Sequence, residues 1–269
     1  MESLPDWAPE GLDLTKASAA RMHDYHLGGA HNFGIDRELA HRVLEVFPDA
    51  AMRAQASRAF LHRAVRFLIS QGVRQFIDIG SGIPTMGNVH ETALREDPAS
   101  RVLYVDRDPI AVTHSELILR DTPSAQVLRA DLRQPQEILH SPQRRALIDL
   151  SQPVAVLMVA VLHFISEEDH PDDTIKLIRD ALAPGSYLVI SHGLAEDQQT
   201  QVDKVLDLYR LSTDPLTFRS RARILDLFNG WDLVDPGLVW VPEWRPDWPD
   251  EVGPDPSASA YIAAVARRA

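Results

Sequence analysis

The sequence predicts an α/β fold of the doubly wound, Rossmann-like kind, and three observations carry that expectation. From Gln75 onward, five short apolar runs recur, QFIDIG, RVLYVD, AQVLRADL, VAVLMVAVLHF and SYLVISHG, each bounded by turn residues and reading as a strand. The runs hold few polar residues, as strands covered on both faces of a parallel sheet do. Helical patterns separate them, such as TIKLIRDALAPG, which stops at Pro184-Gly185 as a helix end should. Right-handed crossovers make such a sheet doubly wound, and its ligands sit beyond the carboxyl ends of the strands.

Taken in chain order, two helical stretches come first, Arg37 to Phe47 and Ala50 to Gln71. The second carries Phe60, Leu61, Val65, Phe67 and Leu68 on one apolar face. They predict an N-terminal lid and helical cap over residues 1–72, ahead of a core over residues 73–269. After the fifth strand, EDQQTQVDKVLDLYRL reads as an additional helix and FRSRARILDLFNG as the next crossover. LVDPGLVWVPEW and SASAYIAAVARRA are expected as the final strands, joined by a Pro/Trp/Asp-rich loop from Arg245 to Pro256.

Composition narrows the function classes. The 269 residues, 45% hydrophobic and 25% charged, suffice for a full core. Asp and Glu number 39 against 27 Lys and Arg, and the net charge of -12 argues against general binding of nucleic acid. Without cysteine there is no thiolate metal site, cysteine nucleophile or disulfide. The N-terminus lacks the basic start and apolar run of a secretory signal, and PVAVLMVAVLHFI is too short to cross a bilayer, so a cytoplasmic protein is expected.

The glycine turn FIDIGSGIPT, Phe76 to Thr85, is where a nucleotide would bind. A phosphate-binding loop needs Gly-Lys-Ser/Thr, and no lysine is present. A dinucleotide site needs a third glycine and free N–H groups, whereas Pro84 supplies none and Asp78 precedes Gly80 and Gly82 with a carboxylate. S-adenosylmethionine carries an ammonium and a sulfonium and no phosphate, so an acid-flanked turn suits it better. Asp106, ending LYVD, is placed to accept from ribose hydroxyls. Asp131, ending LRAD, is placed to accept from an adenine amino group, with the Leu132 backbone N–H reaching a ring nitrogen. Each aspartate taken alone could equally be a turn or helix-cap residue.

In order along the chain, SAARMHDYHLGGAHNFGIDRELA, RAFLHRAVRFL, FIDIGSGIPTMGNVHE, VLYVDRDPI, VLMVAVLHFI and LAPGSYLVISH resemble a family of S-adenosylmethionine-dependent methyltransferases long catalogued as a domain of unknown function. The resemblance runs from Ser18 to the final strand, and its most specific part is the N-terminal Arg-Met-x-Asp-Tyr…Gly-Gly…Asn-Phe motif. It implies the class I methyltransferase fold, a seven-stranded, mostly parallel sheet with an antiparallel last strand. It also implies that Asp78, Gly80 and Gly82 line the methionine end of the donor, Asp106 the ribose, and Asp131 with Leu132 the adenine. Tyr25, Asn32 and Arg58 would close over the donor. This chain departs from the family pattern at His26, Ala30-His31 and Ser57. RMHDYHLGGAHNF is accordingly expected to act as a lid, hinged at Gly28-Gly29, with Tyr25 and Phe33 sealing the site.

His163 and His192 follow the fourth and fifth strands, where either could serve as a general base or simply cap a strand end. The acids Glu167, Glu168, Asp169, Asp172 and Asp173 read as a solvated helix start rather than a metal site, and His23, His26 and His31 predict no defined metal geometry. Trp240, Trp244 and Trp248 could cap an acceptor pocket or pack the final strands. The expectation is a methyltransferase acting on a small-molecule acceptor. Its rivals are a non-catalytic protein that binds the same donor and, on the strength of the sheet alone, an NAD-linked oxidoreductase.

Overall fold

The computed structural model describes residues 14–84, 87–194 and 199–269. Thr85 of the glycine turn, residues 1–13 of the expected cap and residues 196–198 of the expected additional helix lie outside the described residues. Three helices come first, α1 (Ala19–His26), α2 (Gly34–Val46) and α3 (Ala50–Ser70). Alternation of strand and helix follows: β1 (Gln75–Ile79), α4 (Val89–Glu96), β2 (Arg101–Asp106), α5 (Pro109–Leu119) and β3 (Ala125–Arg129). Short helices α6 (Pro135–His140) and α7 (Pro142–Leu147) lead to β4 (Ala155–Val159), then α8 (Pro171–Ala181) and β5 (Tyr187–Gly193). The chain continues through α9 (Gln199–Tyr209), α10 (Arg221–Asp226), β6 (Asp232–Leu233) and β7 (Val239–Trp240) to β8 (Tyr261–Arg267).

The sheet runs β3-β2-β1-β4-β5-β8-β6, parallel up to β5, with β8 antiparallel to β5 and β7 also pairing with β8. A mostly parallel sheet with an antiparallel last strand is the class I fold expected from the resemblance. The penultimate strand is divided, because Gly237, at φ +82°, closes a turn on Val234 and interrupts LVDPGLVW between β6 and β7.

Period-two alternation divides the apolar residues cleanly between the two faces. Ile77, Leu103, Val156 and Leu188 pack toward α8 and the segment after α10, with Ile175, Ile178, Leu227 and Phe228. Phe76, Val102, Tyr104, Leu157 and Val189 pack against Phe60, Leu61, Ala64, Val65 and Leu68 of α3. Helix α3 therefore shares the main core, while α1, α2 and α9 build a separate cluster around Met22, Leu39, Val43 and Leu208. Asp78 lies two residues beyond Phe76 and opposite Tyr104, on the face that α3 covers. That register places an acid at the sheet edge directly under the helix carrying Arg58.

The N-terminal motif closes the cap on itself. Arg21 and Asp36, both buried, form an ion pair at 3.0 Å, and the Asp36 carboxylate also accepts from the backbone of Ser18 and Phe33. Asp24 accepts from the His31 backbone at 2.8 Å and from the Asn32 amide at 2.9 Å. A Cβ on Gly29 would lie 2.0 Å from Asp24 Oδ1, so this glycine permits close packing instead of hinging the segment. Gly28, at φ +81°, terminates α1.

Candidate functional site

A cavity of about 510 Å³ opens at the carboxyl ends of β1 to β5 and is roofed by α1, α3, α9 and residues 213–218. Its size falls within the range of small-molecule and cofactor sites. Asp78, Gly80, Gly82, Asp106, Asp131, Leu132, Arg58 and His163 all line it.

The glycine turn is held by hydrogen bonds within the protein. Gly80 N donates to Val105 O at 2.8 Å, Ser81 N to the same oxygen at 3.3 Å, and Gly82 N to Asp106 Oδ2 at 2.8 Å. Gly80 and Gly82 have φ of +72° and +65°, and a Cβ on Gly80 would meet Val161 Cγ2 at 2.3 Å. These three amides are thus engaged by protein oxygens and are not free to cradle a phosphate. Ser81, which lines the cavity, has its Oγ buried with no hydrogen-bond partner among the described residues.

Two carboxylates and a guanidinium set the local field. Burial pushes Asp78 up to about 7, with Arg58 opposing and the charge of Asp106 adding to the rise. Asp106 is raised to about 6 by burial, against the backbone N–H groups of Asp108 and Gly82 that bond its two oxygens. Arg58 is itself lowered by burial and held by Asp78 and then Tyr104. Burial acts to raise Asp131, but the bonds and charge of Arg133, with Arg107 beyond, bring it below the usual carboxylate range. Arg133 grips both Asp131 oxygens, so a ligand at this edge competes with that side chain.

His163 lies in a 3-10 turn, Leu162–Phe164, that follows β4 through Ala160 in the left-handed region at φ 56°. Its Nδ1 is buried and has no partner among the described residues, and burial, aided by His192, Arg219 and His23, holds the ring neutral. His192 is a correction to the sequence expectation, because it does not line the cavity and both of its nitrogens are occupied. Arg219 can only donate, so His192 Nε2 accepts from Arg219 Nη1 at 3.1 Å, and Nδ1–H donates to Gly193 O at 2.7 Å. Burial lowers His192 to about 4, leaving it a neutral buried anchor with no lone pair for a substrate.

Tyr25 and Asn32 are likewise not brought to the cavity wall. Tyr25 Oη lies 2.5 Å from His41 Nε2, and the Asn32 amide is held by Asp24 and by Gly29 O. What α1 presents instead is Ala19, Ala20, His23 and His26. Burial, then Arg58, then His26 lower His23 to about 3. The N-terminal segment is tied to the rest of the roof by Ser18 Oγ donating to Asp108 Oδ2 at 2.6 Å, Ala19 N to Asp214 Oδ2 at 2.8 Å, and Thr213 N to Ala17 O at 2.9 Å.

Residues that sequence reasoning missed complete the cavity. Phe47, Phe164, Tyr209, Phe218 and Tyr261 form an aromatic wall, and Arg53 stands among them. Arg219, buried beneath the 3-10 turn, donates to Leu162 O at 2.7 Å and Ile165 O at 2.6 Å and also binds Glu167. Glu167 and Asp172 of the acidic run pair with Arg223, as surface acids do. Trp244 is buried against Phe60 and Phe67, Trp240 lies under Arg221, and Trp248 is exposed, so none of the three lines the cavity.

The wall fits S-adenosylmethionine by its donor set. An acid and a guanidinium share one end, an acid stands at the β2 end, the Ser81 hydroxyl lacks a partner among the described residues, and the amides of Gly80, Ser81 and Gly82 are taken by protein oxygens. Comparison with known proteins agrees. The family model described as S-adenosyl methyltransferase matches residues 5–269. A protein from Thermobifida fusca YX, provisionally named a methyltransferase, is 37% identical over 98% of this chain and 99% of its own, with a TM-score of 0.90. A DUF574 family protein from Streptomyces avermitilis is also 37% identical, with a TM-score of 0.89 over 94% of this chain and 98% of its own. An O-methyltransferase family protein from Burkholderia thailandensis shares the fold at 12% identity and a TM-score of 0.53, over 91% of this chain and 64% of that one. No curated protein matches the chain. A fold in the class I order and a family match along nearly the whole sequence lead to one conclusion: the chain belongs to the S-adenosyl methyltransferase family, an enzyme whose methyl donor is S-adenosylmethionine.

Proposed function

We propose that the enzyme methylates a small molecule enclosed in the aromatic half of the cavity. The observation that carries this reading is the roof: α1, α9 and residues 213–218 overhang the strand ends and narrow the site to a cavity of about 510 Å³, the size of a small-molecule site. In this reading Asp78 and Arg58 receive the ammonium and carboxylate of the donor, Gly82, with open space where a Cβ would stand, lets its chain pass close to the backbone, and Gly80 lines the same end with its side-chain space filled by Val161. Asp106 accepts from the ribose hydroxyls, while Asp131 and the Leu132 backbone take the adenine edge. Residues 1–72 act as lid and cap to the 73–269 core, and the enzyme works in the cytoplasm, where its donor is made.

The donor supplies an electrophilic methyl group on a sulfonium. As the acceptor lone pair forms the new bond and the carbon–sulfur bond breaks, one proton leaves the acceptor heteroatom. Both ring nitrogens of His26 in the wall also lack a partner among the described residues, but neutral His163, at the end of β4, is the group assigned in this reading to hold that proton or to orient the group that sheds it. Its low basicity leaves most of the barrier reduction to alignment and to exclusion of water from a ring only 4% exposed.

A turnover screen tests the reading. The protein is incubated with S-adenosylmethionine and panels of small molecules, peptides and nucleic acids, with mass detection of S-adenosylhomocysteine and of the methylated product. Product from the small-molecule panel alone is expected. Methylated peptide or nucleic acid would overturn the proposal, and donor binding without turnover on any panel would favour a binding protein.

A further inference from the structure

One guanidinium in the cavity wall is left over by the donor assignments. Arg53 precedes Arg58 by five residues on α3, about 7.5 Å along the axis at ~1.5 Å per residue. It faces the chamber beside the aromatic wall and lies over the Phe47 ring at 4.3 Å. One arm reaches Asp49, at 3.0 Å, whose side chain is 36% exposed and screened by water, while Nε is buried without a hydrogen-bond partner among the described residues. The other arginines of the wall are differently engaged: Arg21 is paired with Asp36, Arg107 with Asp214, and Arg58 faces Asp78.

Aromatic rings share the cavity wall with Arg53. The Phe164 and Tyr209 rings are 6.0 Å apart and tilted, and His163 stands 5.9 Å from Tyr261 and 4.4 Å from Phe164. The hydroxyls of Tyr209 and Tyr261 make no hydrogen bond to the described residues. Burial raises both, so they remain protonated, and the charge of Arg53 acts on Tyr261. Aromatic walls favour a planar guest, unpartnered hydroxyls inside a chamber favour a guest with polar edges, and a partly free guanidinium favours an anion and repels a cation.

We propose that the acceptor half of the cavity takes a planar aromatic molecule bearing an anionic group, with its ring between Phe164, Tyr209 and Tyr261 and its anion at Arg53. This rests on the reading that Asp78, Arg58 and Asp106 hold the donor. It names a substrate class, the aromatic carboxylates and their equivalents, and assigns Arg53 to selection of the acceptor.

Calorimetry separates the two readings. S-adenosylhomocysteine is titrated first, since absence of binding overturns the donor assignment and this inference with it. In its presence, hydroxynaphthoate, the corresponding neutral amide and cyclohexanecarboxylate are titrated. Hydroxynaphthoate is expected to bind at least tenfold more tightly than either of the other two. Arg53→Met should abolish the advantage over the amide while leaving S-adenosylhomocysteine affinity as in the parent, which also shows that the variant is folded. Arg53→Lys should restore part of that advantage. Equal binding of the amide or of the aliphatic acid, no binding of hydroxynaphthoate despite a bound donor product, or an unchanged preference in Arg53→Met would each overturn the proposal.

Discussion

Asp106 does two things at once, because its oxygens hold the Gly82 and Asp108 amides while retaining lone pairs toward the cavity. Asp106→Ala should weaken S-adenosylhomocysteine binding by roughly 1.5–3 kcal/mol, the scale for hydrogen bonds to a charged group. Calorimetry checks this, and unchanged affinity with a lowered melting temperature would make Asp106 a turn anchor only. Asp78 makes a pH prediction. Held at about 7 in the free protein, it is largely protonated at pH 6, whereas an ammonium partner selects its ionised form. Donor affinity should therefore fall by up to about tenfold per unit as pH drops below that value and level off above it. Asp78→Asn should flatten the profile as well as lower it, and a wild-type affinity independent of pH between 5.5 and 8 would detach Asp78 from the ammonium.

The elements explain which parts of the site could be read from sequence. Strands buried on both faces and the long α3 have periodicities that survive in one dimension, so the parallel sheet and the aspartates at its strand ends were legible, whereas the order of its strands was not. Helix α1 was not, because its eight residues end in Gly28-Gly29 and its motif looked like ligand chemistry. Tyr25 and Asn32 instead bond to His41, Asp24 and Gly29, contacts whose purpose appears only when α1 folds onto α2. His192 looked like a base for the same reason: its position was legible, but its partner Arg219, 27 residues on, was not. Arg219 lies in the unpatterned stretch FRSR and bonds both carbonyls that flank the His163 turn. This makes it a positioning residue for that turn. Arg219→Lys, which keeps a charge without the planar fork, should lower kcat by at least tenfold while changing S-adenosylhomocysteine affinity less than threefold. A parallel loss of donor affinity and melting temperature would mean that the side chain only supports the fold, and Arg219→Met serves as the more severe comparison.

Over the whole molecule, buried ionisable groups of opposite sense compete. Burial lowers seven histidines, His23, His26, His62, His90, His114, His163 and His192, with His23 at about 3 and His114 and His192 at about 4. Three carboxylates, Asp36, Asp78 and Asp106, are raised by burial. Between pH 6.5 and 4 the unfolded chain protonates histidines that the folded protein keeps neutral, so stability held above pH 6.5 is lost as pH falls toward the folded-state values. The raised carboxylates act the other way: the folded protein binds their protons first, and their burial penalty is relieved as pH falls from about 7 through 4. Seven groups against three leave the histidines dominant. The ligand-free protein should show a melting temperature that falls steadily from pH 7 to pH 4.5. S-adenosylhomocysteine should steepen that fall, because it stabilises most where Asp78 is ionised. Differential scanning calorimetry across that range, with and without the ligand, measures both slopes. A ligand-free melting temperature that rises on acidification would show that the three carboxylates at the cap and the strand edge outweigh the buried imidazoles.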